Sequence, residues 1–233
     1  MNRKDKEAVI LAGGFGTRLQ SVVKELPKPM APVNGRPFLT YILDYLIDYN
    51  YTKVVLSVGY LHEKIEDYFG AQYKTLNIQY AVETEPLGTG GGIAYALSFC
   101  KNENILVLNG DTLFKADFSA LEEFHTRCGS QLSIVLRHVA DTSRYGRVNT
   151  DSNGRILSFT EKKAASGEGL INGGIYLINK NLIQSLNLPQ KFSFEKDVME
   201  KHVATKPLFG IESDGYFIDI GIPEDYARAQ REL

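Results

Sequence analysis

The chain has no tryptophan, only two cysteines and eight prolines in 233 residues, and its 26 basic and 28 acidic side chains leave a net charge of -2. Each shortage excludes something. Cys100 and Cys128 lack metal-ligand spacing and cannot form a disulfide framework. They suit a reduced, cytoplasmic protein in which both thiols pack as small apolar groups. Near-neutrality without a long basic run excludes the electrostatic footprint of a nucleic-acid binder. No apolar run reaches the length of a membrane span, and Met1–Glu7, charged with both signs, is not expected to be a signal peptide. Internal repeats, linkers and low-complexity stretches are also missing, which points to one domain over residues 1–233. His62, His125, His138 and His202 show no ligand spacing, and no Ser, Cys and His set suggests a covalent nucleophile.

Apolar strands alternate with helical patterns through the first half. Strands are expected at Ala8–Leu11, Lys53–Ser57, Asn77–Val82, Asn104–Asn109 and Gln131–Arg137. Between them, helices are expected from Pro37, over His62–Phe69, over Thr89–Phe99 and over Phe118–Cys128. The second half opens on a hairpin signal, Asp151-Ser-Asn-Gly154, between two short strands. Further strands are expected at Asn172–Ile178, Leu208–Glu212 and Tyr216–Asp219, with helices at Asn181–Leu186, Phe194–Val203 and Pro223–Leu233. This order implies an α/β three-layer sandwich with a mixed, mostly parallel central sheet, Rossmann-like in its general plan.

The first strand runs straight into Leu11-Ala-Gly-Gly-Phe-Gly-Thr-Arg-Leu19. Gly13, Gly14 and Gly16 allow a sharp turn and a close approach of bare N–H groups to a ligand. Arg18 adds a permanent fork-shaped cation, and Lys28 a second one, held between Pro27 and Pro29. Together these make a receptor for a polyphosphate. The loop is not a P-loop, because no Gly-Lys-Ser/Thr follows, and Leu19 stands where a dinucleotide fingerprint needs its third glycine. Asp111, in Asn109-Gly-Asp111, and Asp219, in Phe217-Ile-Asp-Ile-Gly221, each end an apolar strand. Ligands of open α/β sheets bind at such ends, and phosphate-bound magnesium usually takes one or two carboxylates.

The string Gly13-Gly-x-Gly-Thr-Arg-Leu19 with Pro27-Lys-Pro29 resembles the signature of the sugar-phosphate nucleotidyltransferases. The resemblance implies NTP and a sugar 1-phosphate as substrates, Mg²⁺ on Asp111 and Asp219, and Arg18 and Lys28 as the catalytic cations. It implies a nucleotide-binding half over about 1–137, with Leu11, Ala12, Gly13, Gly14, Gly16, Thr17, Arg18, Glu85, Gly88, Thr89 and Asp111 contacting the nucleotide. Gly88 and Gly90 would let backbone groups approach the base edge. Glu85, or less favourably Glu83, would accept the two donors of guanine. A sugar-binding half over about 138–233 would use Gly146, Glu161, Lys162, Asn172 and Gly173, with Tyr145 a packing residue. The segments Pro27–Pro32, Glu85–Gly91, Leu170–Tyr176, Phe192–Glu195 and Tyr216–Tyr226 are similar to the group in that family that joins GTP to a heptose 1-phosphate. Mannose 1-phosphate with GTP, and N-acetylmuramate 1-phosphate with UTP, stay open. A non-catalytic nucleotide-sugar sensor is disfavoured, because Arg18, Lys28 and both aspartates are present. A homo-oligomer is left open.

Overall fold

A computed structural model of the chain describes residues 5–14, 19, 23, 25–160 and 167–233. Strand β1 (Lys6–Leu11) is apolar through its middle because both its faces are covered. Ala8 and Ile10 enter one apolar layer and Val9 the other. A 3₁₀ turn at Lys28–Met30 leads to the short strands β2 (Pro32–Val33) and β3 (Arg36–Pro37), and then to α1 (Phe38–Asp48). There follow β4 (Tyr51–Val58), α2 (His62–Phe69), β5 (Gln72–Tyr73), β6 (Leu76–Val82), α3 (Gly88–Leu97), β7 (Asn104–Asn109), β8 (Thr112–Phe114) and α4 (Phe118–Arg127). The second half supplies β9 (Leu132–Val139), β10 (Arg147–Thr150), β11 (Ile156–Thr160), β12 (Gly169–Asn179), α5 (Lys180–Gln184), a π-helical segment at Phe194–Glu200, β13 (Leu208–Glu212), β14 (Phe217–Asp219) and α6 (Pro223–Glu232).

The main sheet runs β11-β10-β12-β7-β1-β4-β6-β5, with β9 paired to β12 and β13 paired to β9. Its centre, β7-β1-β4-β6, is parallel. Strand β12 then lies antiparallel to β7, β9 and β10, so one sheet takes strands from both halves of the chain. Helices α1, α2 and α4 cover one face through Phe38, Leu43, Ile65 and Leu121. Helices α3 and α5 and the π-helical segment cover the other through Ile93, Leu182 and Phe194. Among the described residues no helix is long and apolar enough to cross a membrane. Cys100 is buried as expected, whereas Cys128, at the end of α4, is only half-buried.

Two local features shape the site. The pairing of β12 with β9 shifts register between Asn172 and Tyr176, a bulge that includes Gly174 at φ +76°. Helix α3 has no side-chain cap. Instead, the N–H groups of Gly90 and Gly91 donate to the Phe192 carbonyl at 3.0 and 3.4 Å. A Cβ on Gly90 would stand 2.2 Å from the Phe192 ring, and one on Gly88 (φ +75°) 2.6 Å from its carbonyl oxygen. These glycines make room for a segment a hundred residues away.

Gly90→Ala should therefore destabilise the fold by about 1–3 kcal/mol, as overpacking does, read from urea unfolding. Combined with Phe192→Leu, which removes the ring, its cost should be clearly less than additive. Strict additivity would mean that the ring is not the obstacle.

Candidate active site

Strands β1, β4 and β7 end together. Leu11 pairs with Ser57 and with Asn109, and Ala12 N–H donates to the Ser57 carbonyl at 2.8 Å. The chain leaves β7 through Gly110, whose N–H donates to the Leu11 carbonyl and whose Cβ would lie 2.6 Å from that oxygen. Asp111 follows at once. Its neighbour β8 pairs antiparallel with β14, placing Asp219 opposite Thr112. The Ile220 N–H donates to the Asp111 carbonyl at 3.0 Å, which fixes the two strand ends side by side.

Lys28 reaches this point from the 3₁₀ turn. Its Nζ lies 2.5 Å from Asp111 Oδ2 and 3.7 Å from Asp219 Oδ1, with only 10% of the side chain exposed. Burial alone would push the Asp111 carboxyl up, but the Lys28 charge and hydrogen bond, helped by the Thr112 hydroxyl, hold it below the usual carboxylate range. Asp219 goes the other way, raised by burial and then by the Asp111 charge beside it. Gly221 must be bare here, since a Cβ would stand 2.8 Å from Asp219 Oδ1 and 3.0 Å from Lys28 Nζ.

Two cavities meet at this cluster. One, of 280 Å³, is lined by Leu11, Ala12, Gly14, Lys28, Thr89 and Gly221 among others. The second, of 150 Å³, is lined by Tyr145, Gly146, Asn172, Gly173, Tyr176 and Asp219 among others. Asn109, Asp111 and Glu195 line both. The first is bounded by the ends of β1 and β7 and by Gly14; the second is predominantly polar and sits over the β12 bulge.

Most described residues singled out from the sequence therefore converge. Gly13 lies just outside the lining, where a Cβ would come 3.2 Å from Gly59 N and 3.5 Å from Glu83 Oε1. Gly16, Thr17, Arg18, Glu161 and Lys162 lie outside the described residues. Glu85 is exposed and lines neither cavity, while Glu83 is half-buried and turned inward. The Glu83 carboxylate accepts from Leu87 N–H and from the Ser57 hydroxyl, both at 3.0 Å, and so braces the loop that carries Glu85. Asn172 spends its amide locally. Its Oδ1 accepts from Gly174 N–H at 3.0 Å, and its Nδ2 donates to the Tyr176 hydroxyl at 2.8 Å. Gly173 is needed for packing as well, because a Cβ would meet the Phe114 ring at 2.6 Å. Tyr145 packs on Phe217 at 6.0 Å and also faces the second cavity. Asn109, Tyr176, Glu195 and Gly221 were given no role from the sequence. Asn109 and Gly221 flank the two aspartates in their motifs and could have been found there; Tyr176 and Glu195 lie in segments that carry the family resemblance, but neither residue was assigned a role of its own.

Comparison with known proteins identifies the family of the chain. The family model described as nucleotidyl transferase matches residues 7–233. The chain is 49% identical over 227 residues to the D-glycero-alpha-D-manno-heptose 1-phosphate guanylyltransferase of Aneurinibacillus thermoaerophilus, covering 97% of this chain and 98% of that protein. It is 46% identical over 220 residues to the protein of the same name from Campylobacter jejuni, covering 94% and 96%. Among solved structures, HddC from Yersinia pseudotuberculosis complexed with GMP-PN superposes with a TM-score of 0.86 at 38% identity, covering 97% of this chain and 99% of that one. A glycine loop, a lysine and two strand-end aspartates thus meet in a chain that matches one family model from its first strand to its last residue, and the protein belongs to the nucleotidyl transferase family.

Proposed function

We propose that the protein transfers the GMP unit of GTP to D-glycero-α-D-manno-heptose 1-phosphate, giving GDP-heptose and pyrophosphate. The observation that carries this reading is the Lys28–Asp111–Asp219 cluster at the junction of the two cavities. A phosphoryl centre placed there would have a nucleotide on one side and a sugar on the other. The names of the two relatives and the GMP-PN in the HddC complex support the choice of GTP and heptose.

In the reaction, a phosphate oxygen of the sugar 1-phosphate forms a bond to the α-phosphorus of GTP. The bond from that phosphorus to the bridging oxygen breaks on the opposite side, and its electron pair leaves with pyrophosphate. Little covalent work falls to the protein, so catalysis is positioning and charge neutralisation. Lys28 would bridge the α-phosphate and the incoming phosphate, and Arg18 would hold the β- and γ-phosphates. Two carboxylates close enough for one ammonium to touch both also suit a hard divalent cation. Asp111 and Asp219 would hold Mg²⁺, which when bound neutralises phosphate charge. Glu161 would accept from sugar hydroxyls and Lys162 would grip the sugar phosphate. Gly146, Asn172 and Gly173 would shape the sugar floor. Glu85 would read the guanine edge, on a loop that Glu83 holds in place.

Pyrophosphate release across GTP, UTP, CTP and dTTP, each with heptose and mannose 1-phosphates, tests the substrates. GTP with heptose 1-phosphate should give the highest kcat/KM, and a win for UTP would overturn the guanine assignment. Glu85→Gln should lower the GTP-to-UTP ratio by about tenfold or more, since a donor would then face a donor. An unchanged ratio would move base reading to another group. Lys28→Met should cost about 10²–10³ in kcat, the range for removing one preorganised charge partner. Because Lys28 also competes for the carboxylates, the same variant should bind Mn²⁺ more tightly without nucleotide, by about tenfold, in a paramagnetic titration. Asp219→Asn should weaken Mn²⁺ binding instead, and equal Mn²⁺ affinity in all three proteins would remove both residues from a metal site.

A further inference from the structure

Glu195 lines both cavities, yet nothing in the reaction as written uses it. One oxygen of its carboxylate is held by two hydroxyls. The Thr89 hydroxyl donates to Oε2 at 2.6 Å and the Ser193 hydroxyl donates to the same oxygen at 3.0 Å. Both hydroxyls are committed as donors to it. Thr89 Oγ1 accepts from Phe194 N–H at 3.0 Å, and Ser193 Oγ accepts from Lys196 N–H at 3.2 Å, so each has its proton left for Glu195. Oε1 receives neither bond. The groups that hold Oε2 are neutral, so they orient the carboxylate without cancelling its charge.

A carboxylate presented to a phosphate cleft would repel its ligand unless hydroxyl protons meet it. The sugar-side cavity is where such protons belong. Tyr176, which lines the same cavity as Glu195, packs its ring edge-on against Phe194 at 5.2 Å and takes a hydrogen bond from Asn172. Glu195, Tyr176 and Asn172 thus form one polar wall, reaching from the start of α3 to the β12 bulge.

We propose that Glu195 is a specificity-determining residue for the acceptor, with Oε1 accepting a hydrogen bond from a ring hydroxyl of the sugar 1-phosphate. The proposal rests on the nucleotidyl-transfer reading. In it, Thr89 and Ser193 are positioning residues. The base-side loop, through Thr89, then sets the orientation of a group that selects the sugar.

The test combines Glu195→Gln with acceptors that each lack one ring hydroxyl: the sugar 1-phosphate the wild type uses best, and its 2-, 3- and 4-deoxy analogues. With the full acceptor, Glu195→Gln should lower kcat/KM for the sugar 1-phosphate by about 10- to 100-fold, the range for a charge-assisted hydrogen bond. The KM for GTP should stay within about twofold. With one deoxy analogue the wild type should lose about as much, and the variant should lose little more. Glu195→Asp, which keeps the charge but shortens the reach, should show its loss against the same hydroxyl. A penalty that persists equally over all deoxy analogues would overturn the proposal in favour of a structural role. A penalty that falls on GTP and disappears with 2′-deoxy-GTP would overturn it in favour of ribose recognition. Either result, with wild-type turnover intact, leaves the nucleotidyl-transfer reading standing. Absence of wild-type pyrophosphate release from every NTP and sugar 1-phosphate pair would overturn that reading, and the proposal with it.

Discussion

Lys28 Nζ, 2.5 Å from Asp111 and 3.7 Å from Asp219, joins three distant pieces of chain at one point. A nearly buried ammonium is costly unless paired, and two neighbouring carboxylates repel unless a cation lies between them. Each of the three groups therefore needs the other two. The surrounding backbone serves this arrangement. Gly110 lets β7 turn tightly against β1, the β8–β14 ribbon brings Asp219 across, and Gly221 leaves room for the lysine. Against burial, the Lys28 charge and hydrogen bond hold the Asp111 carboxyl down, while burial and the Asp111 charge push Asp219 up. A phosphate oxygen entering this cluster meets charges that are already placed.

The second organising contact is apolar. Phe192 lies on the glycine-rich start of α3, donates its N–H to Leu87 and accepts from Gly90 and Gly91. Helix α3 thereby gets its cap from the far half of the chain rather than from a side chain of its own. The same segment continues into Ser193, Phe194 and Glu195, so the contact that seats the start of α3 also brings the Glu195 carboxylate to the wall shared by the two cavities.

Where a residue's role follows from its own strand, the sequence was readable. Apolar runs closed by Gly, Asn or Asp gave β1, β4 and β7, and strand-end position together with motif resemblance singled out Asp111 and Asp219. The hairpin around Asp151–Gly154 was equally plain from its turn residues. Two- and three-residue strands such as β2, β5 and β8 carry no period to detect, so the partner of β14 could not be foreseen. Gly88 and Gly90 were expected to let backbone groups approach a base edge; in the structure the group that crowds both is Phe192, and nothing local to residues 85–93 encodes that. Glu195 was hidden for the same reason. It sits in a stretch that reads as the exposed start of a helix, and only the crossing over α3 turns it toward the cleft. Arg18, Glu161 and Lys162 rest on motif resemblance alone.

The Phe192 contact also bears on how such enzymes can diversify. Because the start of α3 and the Glu195 wall share one seam, the two cavities they line are not separate modules to be exchanged by recombination near residue 138. A crossover there would pair one parent's glycines with the other parent's aromatic segment, and a mismatch of a single ring would disturb both recognition surfaces. Change is then easier through side chains facing the cleft than through the seam itself.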